Sequence, residues 1–516
     1  HLLQAVHQAP PTVKVLSYRQ YQKQANIEAL RLRKKMADEL NAPGELIAAC
    51  ITTDGWTSKS MVHYQSLTLH YVTAAFAYRS VVLGAFQCGL SGSDFAQGAL
   101  EQLRSFRISP KALYGLTTDG ASNMMKMTRE IASELDLNST LVEEQDEQVL
   151  PEYEGSDDES DADVASDFED SSDFTDSSAE ESQAEDSVVE EAVEPTEIPQ
   201  LEHVWCFCHR LHLIVTSVVY PKASTATSRL IERVRHVATK LRRSNSLWAA
   251  YVEACSRRVA SADSNPVRPK LDMRVRWSST LDMLQSIHSQ LAGINFVVET
   301  DASKFTQLRS FSWRESDEIL DLITLLRAFA TPTTLFSAEH HPTLHLVRPA
   351  LIDLHYVLET QILTTDLGKQ AQQALMAEFE RRLTSVVDDP LLLVAQYLDP
   401  KQRGTTFFSH HWKEVQHSLQ RMVVSHKLVN LEDESKPNAT ITLSEQQLRM
   451  LRWGSKSHPG EPTPTLSPAK PSKGETRLSE EIKGYGQLNF DSPISTPLEF
   501  WSSAHCFPIL RSCARI

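Results

Sequence analysis

From Tyr64 to Thr73 the chain alternates: Tyr64, Ser66, Thr68 and His70 are interleaved with Gln65, Leu67, Leu69 and Tyr71. A period of two sends successive side chains to opposite faces, so this segment predicts a strand buried on one side. Leu46–Thr53, Tyr78–Gln87 and Ala112–Thr118 have the length and apolar content of three more strands. Helical spacing fits Asp94–Phe106, and the Ala-Ser-Asn run after Asp119 opens a further helix through about Leu135. Upstream, Tyr18–Asn41 predicts a charged helix, with Tyr21, Ile27, Leu30 and Met36 on one side and many Lys and Arg on the other. Asn41-Ala42-Pro43-Gly44 stops it. Farther on, His203–Phe207 predicts a fifth strand leading into a helix from His209 to Val219. The pattern from Thr225 to about Val387 is mainly helical, including Glu318–Ala328 and Leu346–Thr360. Pro497–Ile516 reads as a final amphipathic piece.

Two segments break this periodicity. Residues 143–194 hold 23 Asp and Glu and no Lys or Arg, too polar and repetitive to bury anything, so a disordered insert is expected. Removing that tract leaves 51 basic against 44 acidic residues (67 less 23), so the rest of the chain is mildly basic, compatible with nucleic acid. Serines followed by acids, as in Ser156-Asp157-Asp158-Glu159, suit acid-directed kinases as well as a plain solvated spacer. Residues 432–471 gain Pro, Ser and Lys and read as a second linker. Seven cysteines without framework spacing argue for a reducing compartment, and with no apolar run of about 18 residues no membrane partner is expected. The chain begins at His1, and a fragment is the expectation.

The order βββαβα, then a broken βα, is that of an RNase H-like domain. The expected fold is therefore α/β, an RNase H-like mixed sheet interrupted by the acidic insert and a large helical insertion. The expected divisions are 1–44 (helical segment), 45–142 and 201–222 (the two parts of the sheet domain) and 143–200 (insert). Beyond them lie 223–430 (helical domain), 431–480 (linker) and 481–516 (the opening of a C-terminal region). In that order the first and fourth strands are neighbours, which places Asp54 beside Asp119. Carboxylates at strand ends gather oxygen ligands for divalent metal, and two-metal phosphoryl transfer needs such carboxylates. The alternative is a turn or cap role, which the following Gly55 and Gly120 would also suit by permitting sharp turns.

Short motifs add a resemblance. Thr52-Thr53-Asp54-Gly55-Trp56-Thr57-Ser58 with Tyr64-x-Ser66-Leu67-Thr68-x-His70-Tyr71 resembles the first catalytic block of hAT-superfamily transposases, and Thr118-Asp119-Gly120-Ala121-Ser122-Asn123-Met124 their second. Cys206-Phe207-Cys208-His209 resembles their Cys-x-x-His motif, Arg274-Val275-Arg276-Trp277 their Arg-Trp motif, and Tyr397-Leu398-Asp399-Pro400-Lys401 a block of the helical region. Pro497-Leu498-Glu499-Phe500-Trp501 with Phe507-Pro508-x-Leu510 resembles the opening of the dimerisation region. All six stand in the family's order, closest in pattern to host-adopted relatives that carry a BED-type zinc finger.

The resemblance implies that Asp54 and Asp119 are ancestral metal-ligand positions, taking Mg²⁺ or Mn²⁺ in an active protein. It implies that Cys206 and His209 lie near the active site, and that Arg274, Arg276 and Trp277 contact DNA, the tryptophan by stacking on a base. Alternatively Trp277 is a core aromatic. No structural zinc is expected in this chain, because His203, Cys206, Cys208, His209 and His212 crowd one strand-to-helix junction where they cannot all converge. Neither the finger nor the family's third carboxylate, a glutamate beyond the dimerisation opening, is found, and Glu499 is a poor substitute. The favoured expectation is a catalytically inactive, nuclear, DNA-associated regulator of chromatin or transcription, homodimeric at full length. The alternatives are an active transposase in an incomplete chain and a dimerisation scaffold without DNA binding.

Overall fold

The computed structural model describes residues 17–139, 201–258, 266–425, 473–486 and 496–515, apart from a few positions within them, Arg274 and Val275 included. The expected acidic insert (its residues 143–200) and most of the expected linker lie outside the described residues; its last residues belong to a helix, Lys473–Gly486.

Strands β1 (Ala49–Thr57), β2 (His63–Val72), β3 (Tyr78–Gln87), β4 (Leu113–Thr118) and β5 (Glu202–Trp205) form one mixed sheet in the order β3-β2-β1-β4-β5. β1 pairs antiparallel with β2, β2 antiparallel with β3, while β1–β4 and β4–β5 run parallel. The alternation read in β2 is the alternation of burial: Gln65, Leu67, Leu69 and Tyr71 are buried, and Tyr64, Ser66, Thr68 and His70 only partly so. On the buried face Ile51, Leu67 and Leu69 meet two helices, α2 (Gly92–Ser105) and α3 (Ser122–Ser139), through Phe95, Ala99, Leu103, Met124, Met127 and Ile131. α2 is started by a capping box in which Ser91 and Asp94 bond each other's backbone N–H.

The first helix, α1 (Tyr18–Leu40), meets this core over its last two turns, through Met36, Ala37 and Leu40 and with Arg33 over the Phe106 ring. After β5, helix α4 (Phe207–Val219) enters a second core built from helices between residues 226 and 387. Its central helix, Trp313–Phe336, extends the expected 318–328 at both ends and holds Pro332 inside it. By length and composition this helix is apolar enough to cross a membrane, although the sequence showed no such run; here Ile319, Leu322, Ile323, Leu326 and Phe329 lie in the helical core.

A third core joins distant segments. Leu393, Val394, Tyr397, Val415 and Leu419 pack with Leu478, Ile482, Tyr485, Trp501, Phe507 and Leu510, and with Phe76 from the β2–β3 turn. The helices 407–425 and 473–513 thus share one core with the end of helix Pro390–Tyr397.

Candidate functional site

Asp54 and Asp119 converge because β1 and β4 are parallel neighbours. Their ladder pairs Ile51 with Leu116 and Thr52 with Thr117, and one more pair of steps brings each chain to its aspartate. The expectation that Asp54 closes its strand needs correcting. β1 continues to Thr57, with Asp54 opposite Ser66 and Trp56 opposite Tyr64 on β2. Only the β4 side opens at Asp54, since β4 ends at Thr118 while the hairpin partner keeps bonding.

The two glycines differ for the same reason. Gly120 has φ +82 and lies under the Trp205 indole, where a Cβ would come within 2.7 Å of the ring, so the turn after β4 requires glycine. Gly55 makes no turn. It sits inside β1 opposite Gln65, with Phe95 and Met124 3.1–3.2 Å from where a Cβ would be.

Asp119 keeps a local task as well: its Oδ1 accepts from the Ala121 N–H at 3.1 Å, shaping the entry to α3. Asp54 is an exposed residue, yet desolvation is the largest cause that raises its carboxyl above the ordinary range. The charge of Asp119 raises it further, while the Gly55 N–H and His209 oppose the shift. Two carboxylates within electrostatic reach, with an imidazole nearby, are the arrangement that favours a bound proton or cation.

The Cys-x-x-His segment adjoins them. The Cys206 N–H donates to the Thr118 carbonyl at 2.7 Å, extending the β4–β5 ladder by one bond, and Cys206 is the N-cap of α4. The helix therefore begins at Phe207, two residues ahead of the expected start. A hydrogen bond from Cys208 is the main cause that lowers the Cys206 thiol; burial opposes it, the N–H groups of His209 and Cys208 assist, and Asp54 opposes. Cys208 is pushed up by the same bond and by burial, and its sulfur also lies 3.3 Å from the Ser337 hydroxyl.

The other candidates of this junction diverge. His203 Nε2 bonds the Thr118 hydroxyl at 2.9 Å, and His212 stands beside His209 with ring centroids 6.0 Å apart. Burial is the largest cause that holds both His203 and His212 below the ordinary imidazole range. Among the described residues no group of three His, Cys, Asp or Glu side chains is placed to hold a metal ion. The two aspartates alone are fewer donors than Mg²⁺ or Mn²⁺ takes from a two-metal centre, so the described residues do not fit a complete one.

The Arg-Trp segment belongs elsewhere. Trp277 is 3% exposed, opens the helix Trp277–His288, and packs edge-on against Phe329 with centroids 6.2 Å apart. With both faces enclosed by the helical core it offers no open ring to a base. Arg276 is exposed at the N-cap, and Arg274 lies outside the described residues.

Sequence reasoning passed over the anchor of this loop. Asp272 accepts two bonds from Arg235, 2.8 and 2.6 Å, and another from the Tyr220 hydroxyl. Its position two residues before Arg274 was the available signal.

No curated protein matches the chain. Residues 52–147, the stretch holding both aspartates, match the family model described as the ZBED1 RNase-like domain, and that match supports a transposase-derived chain of the ZBED/hAT type.

Proposed function

We propose that the protein is a transposase-derived, DNA-associated nuclear regulator of chromatin or transcription that has lost strand cleavage and acts by binding DNA as a homodimer. The observation that carries this reading is the family match over residues 52–147, which holds most of β1, all of β2 to β4 and both aspartates. The chain outside the acidic tract supplies a basic balance, and Arg276 presents a cation at the surface of the helical domain. Cleavage by two metals needs carboxylates that clamp both the attacking and leaving oxygens. Asp54 and Asp119 supply two, and no third donor group joins them among the described residues.

The test is binding of duplex DNA across a salt series. Log affinity falling steeply and linearly with log salt supports phosphate contacts; absence of binding at low salt overturns the DNA role. Nuclear residence is checked by imaging the tagged chain.

A second reading is favoured by one observation, the gathering of Asp54, Asp119, Cys206 and His209 where β4 and β5 end beside β1. It is catalytic competence. Nicking of DNA in Mn²⁺ that disappears in Asp54→Asn and Asp119→Asn establishes it, and persistent inactivity favours the first reading.

A further inference from the structure

The basic surplus of the chain is not spread evenly. Residues 240–276 hold nine Lys and Arg against three Asp and Glu, whereas the chain outside the acidic tract as a whole holds 51 against 44. A net of +6 out of +7 therefore lies in one short stretch. One of its three acids, Asp272, is engaged inside the fold by Arg235 and Tyr220.

The fold gathers these cations. Helix Ala226–Arg243 ends in Lys240, Arg242 and Arg243, and the segment from residue 266 returns along that end. Arg242 donates to the Pro269 carbonyl at 3.2 Å, and Arg268 donates back to the Arg242 carbonyl at 2.9 Å and to Asn245 Oδ1 at 2.7 Å. The same segment runs on to Arg276, exposed at the start of the next helix. Lys270 is held by Asp282 at 3.2 Å, but among the described residues no carboxylate pairs with Arg242, Arg243, Arg268 or Arg276. Neutral acceptors thus fix two of the guanidinium groups without cancelling their charge. Such forks take carboxylates or phosphates.

The chain carries an anion of that kind. Residues 143–194 hold 23 Asp and Glu and no Lys or Arg, and they are tethered at both ends, after Ser139 and before Leu201. The middle of this connection stands about 30 residues from either tether, a reach of up to about 100 Å, against a width of roughly 50 Å for a body of several hundred residues. Tethering holds the tract at an effective concentration on the order of 1 mM, so an affinity of only about 0.1 mM keeps the surface mostly occupied.

We propose that the acidic tract, residues 143–194, binds the basic surface formed by Arg242, Arg243, Arg268 and Arg276 of the same molecule and excludes other polyanions from it. The docking is independent of the DNA reading. Its consequence, weakened DNA binding, rests on that reading.

The probe is a labelled peptide of residues 143–194, followed by fluorescence anisotropy at about 50 mM salt, where charges are little screened. It is added to the full chain and to a full chain whose tract carries Asn and Gln in place of its 23 Asp and Glu. The neutralised chain is expected to bind the peptide about tenfold more tightly than the parent, whose own tract covers the surface. In the neutralised chain, Arg243→Glu with Arg276→Glu is expected to weaken the peptide about tenfold at an unchanged unfolding midpoint, whereas Lys23→Glu with Lys34→Glu, the same charge change on α1, costs no more than about twofold. Arg243→Gln with Arg276→Gln serves if the reversed pair fails to fold, with a smaller loss expected. No binding of the peptide to the neutralised chain, equal binding to both chains, or equal loss from the basic-surface and α1 pairs overturns the proposal. Duplex DNA is the last arm. Peptide docking without DNA binding leaves the proposal standing and removes the DNA reading, while DNA bound equally by both chains overturns the exclusion.

Discussion

The indole Nε1 of Trp501 donates to the carbonyl of Leu398 at 2.8 Å, tying together two sequence blocks 103 residues apart. The same carbonyl accepts from the Tyr485 hydroxyl at 3.2 Å, and both rings lie in the third core. Trp501→Phe keeps most of the apolar volume and removes one donor, so a loss of about 1 kcal/mol is expected. Trp501→Ala also opens a cavity and is expected to cost about 3–5 kcal/mol. Urea midpoints of the two variants check the order.

Asp272 is expected to be the most sensitive polar position of the helical domain. Burial pushes its carboxyl up, but the bonds from Arg235 and Tyr220 outweigh it, and the group is held below the ordinary carboxylate value of 3.8. Its contribution to stability is therefore present above that value and lost as pH falls below it. Asp272→Ala strands the Arg235 guanidinium and is expected to cost about 3–5 kcal/mol near neutral pH, read by denaturant unfolding.

Glu481 behaves in the opposite sense. Burial raises its carboxyl from 4.5 to about 7, against the N–H groups of Leu510 and Ile509 and the charge of Arg477. Between those values the folded chain holds a proton that the unfolded chain has released, so stability falls as pH rises through that window, by on the order of 3 kcal/mol at most. Glu481→Gln retains an acceptor for both N–H groups. Midpoints at acidic and mildly alkaline pH are expected to converge in that variant.

The Asp54 carboxyl is expected to sense the charge of Asp119. Asp119→Asn removes one of the causes that raise Asp54, so the Asp54 carboxyl titration, followed by carbon NMR, should move toward lower pH. It should stop short of the ordinary value, because burial is the larger cause. No movement would show that the two carboxylates do not sense each other.

Trp277 and Arg276 are expected to separate folding from binding. Trp277→Ala empties a core position against Phe329 and should cost about 3–5 kcal/mol. Arg276→Glu, at an exposed cap, should change stability by no more than about 0.5 kcal/mol. If DNA is bound there, the same change weakens binding at every sequence and makes the salt dependence shallower.

The sheet was legible because its signals are local. Alternation in β2 and the order of elements placed β1 beside β4, and with it the pairing of Asp54 and Asp119. Two features escaped for reasons of tertiary context. Asp54 reads as a strand terminus since polar residues follow it, yet β2 supplies bonds out to Thr57, and only the register shows this. For Trp277 the sequence leaves base stacking and a core place both open, and only the packing of Phe329, 52 positions away, decides for the core. Glu481 and Asp272 gave no periodic signal, since what distinguishes them is the distant groups that surround them.

Arg515 donates to the carbonyls of Glu45 and Val72, each at 3.2 Å, so the first contact is closed across 470 residues. Contacts so far apart along the chain slow folding, because the intervening segment must be gathered before they reward it. During synthesis the sheet and its two covering helices emerge and can pack long before residue 515 does. For that interval Phe76 and Val72 lack the helices that later cover them, leaving an apolar surface open at the β2–β3 turn. The nascent sheet domain is thus exposed to aggregation at one known corner until the segments between residues 393 and 513 have followed it.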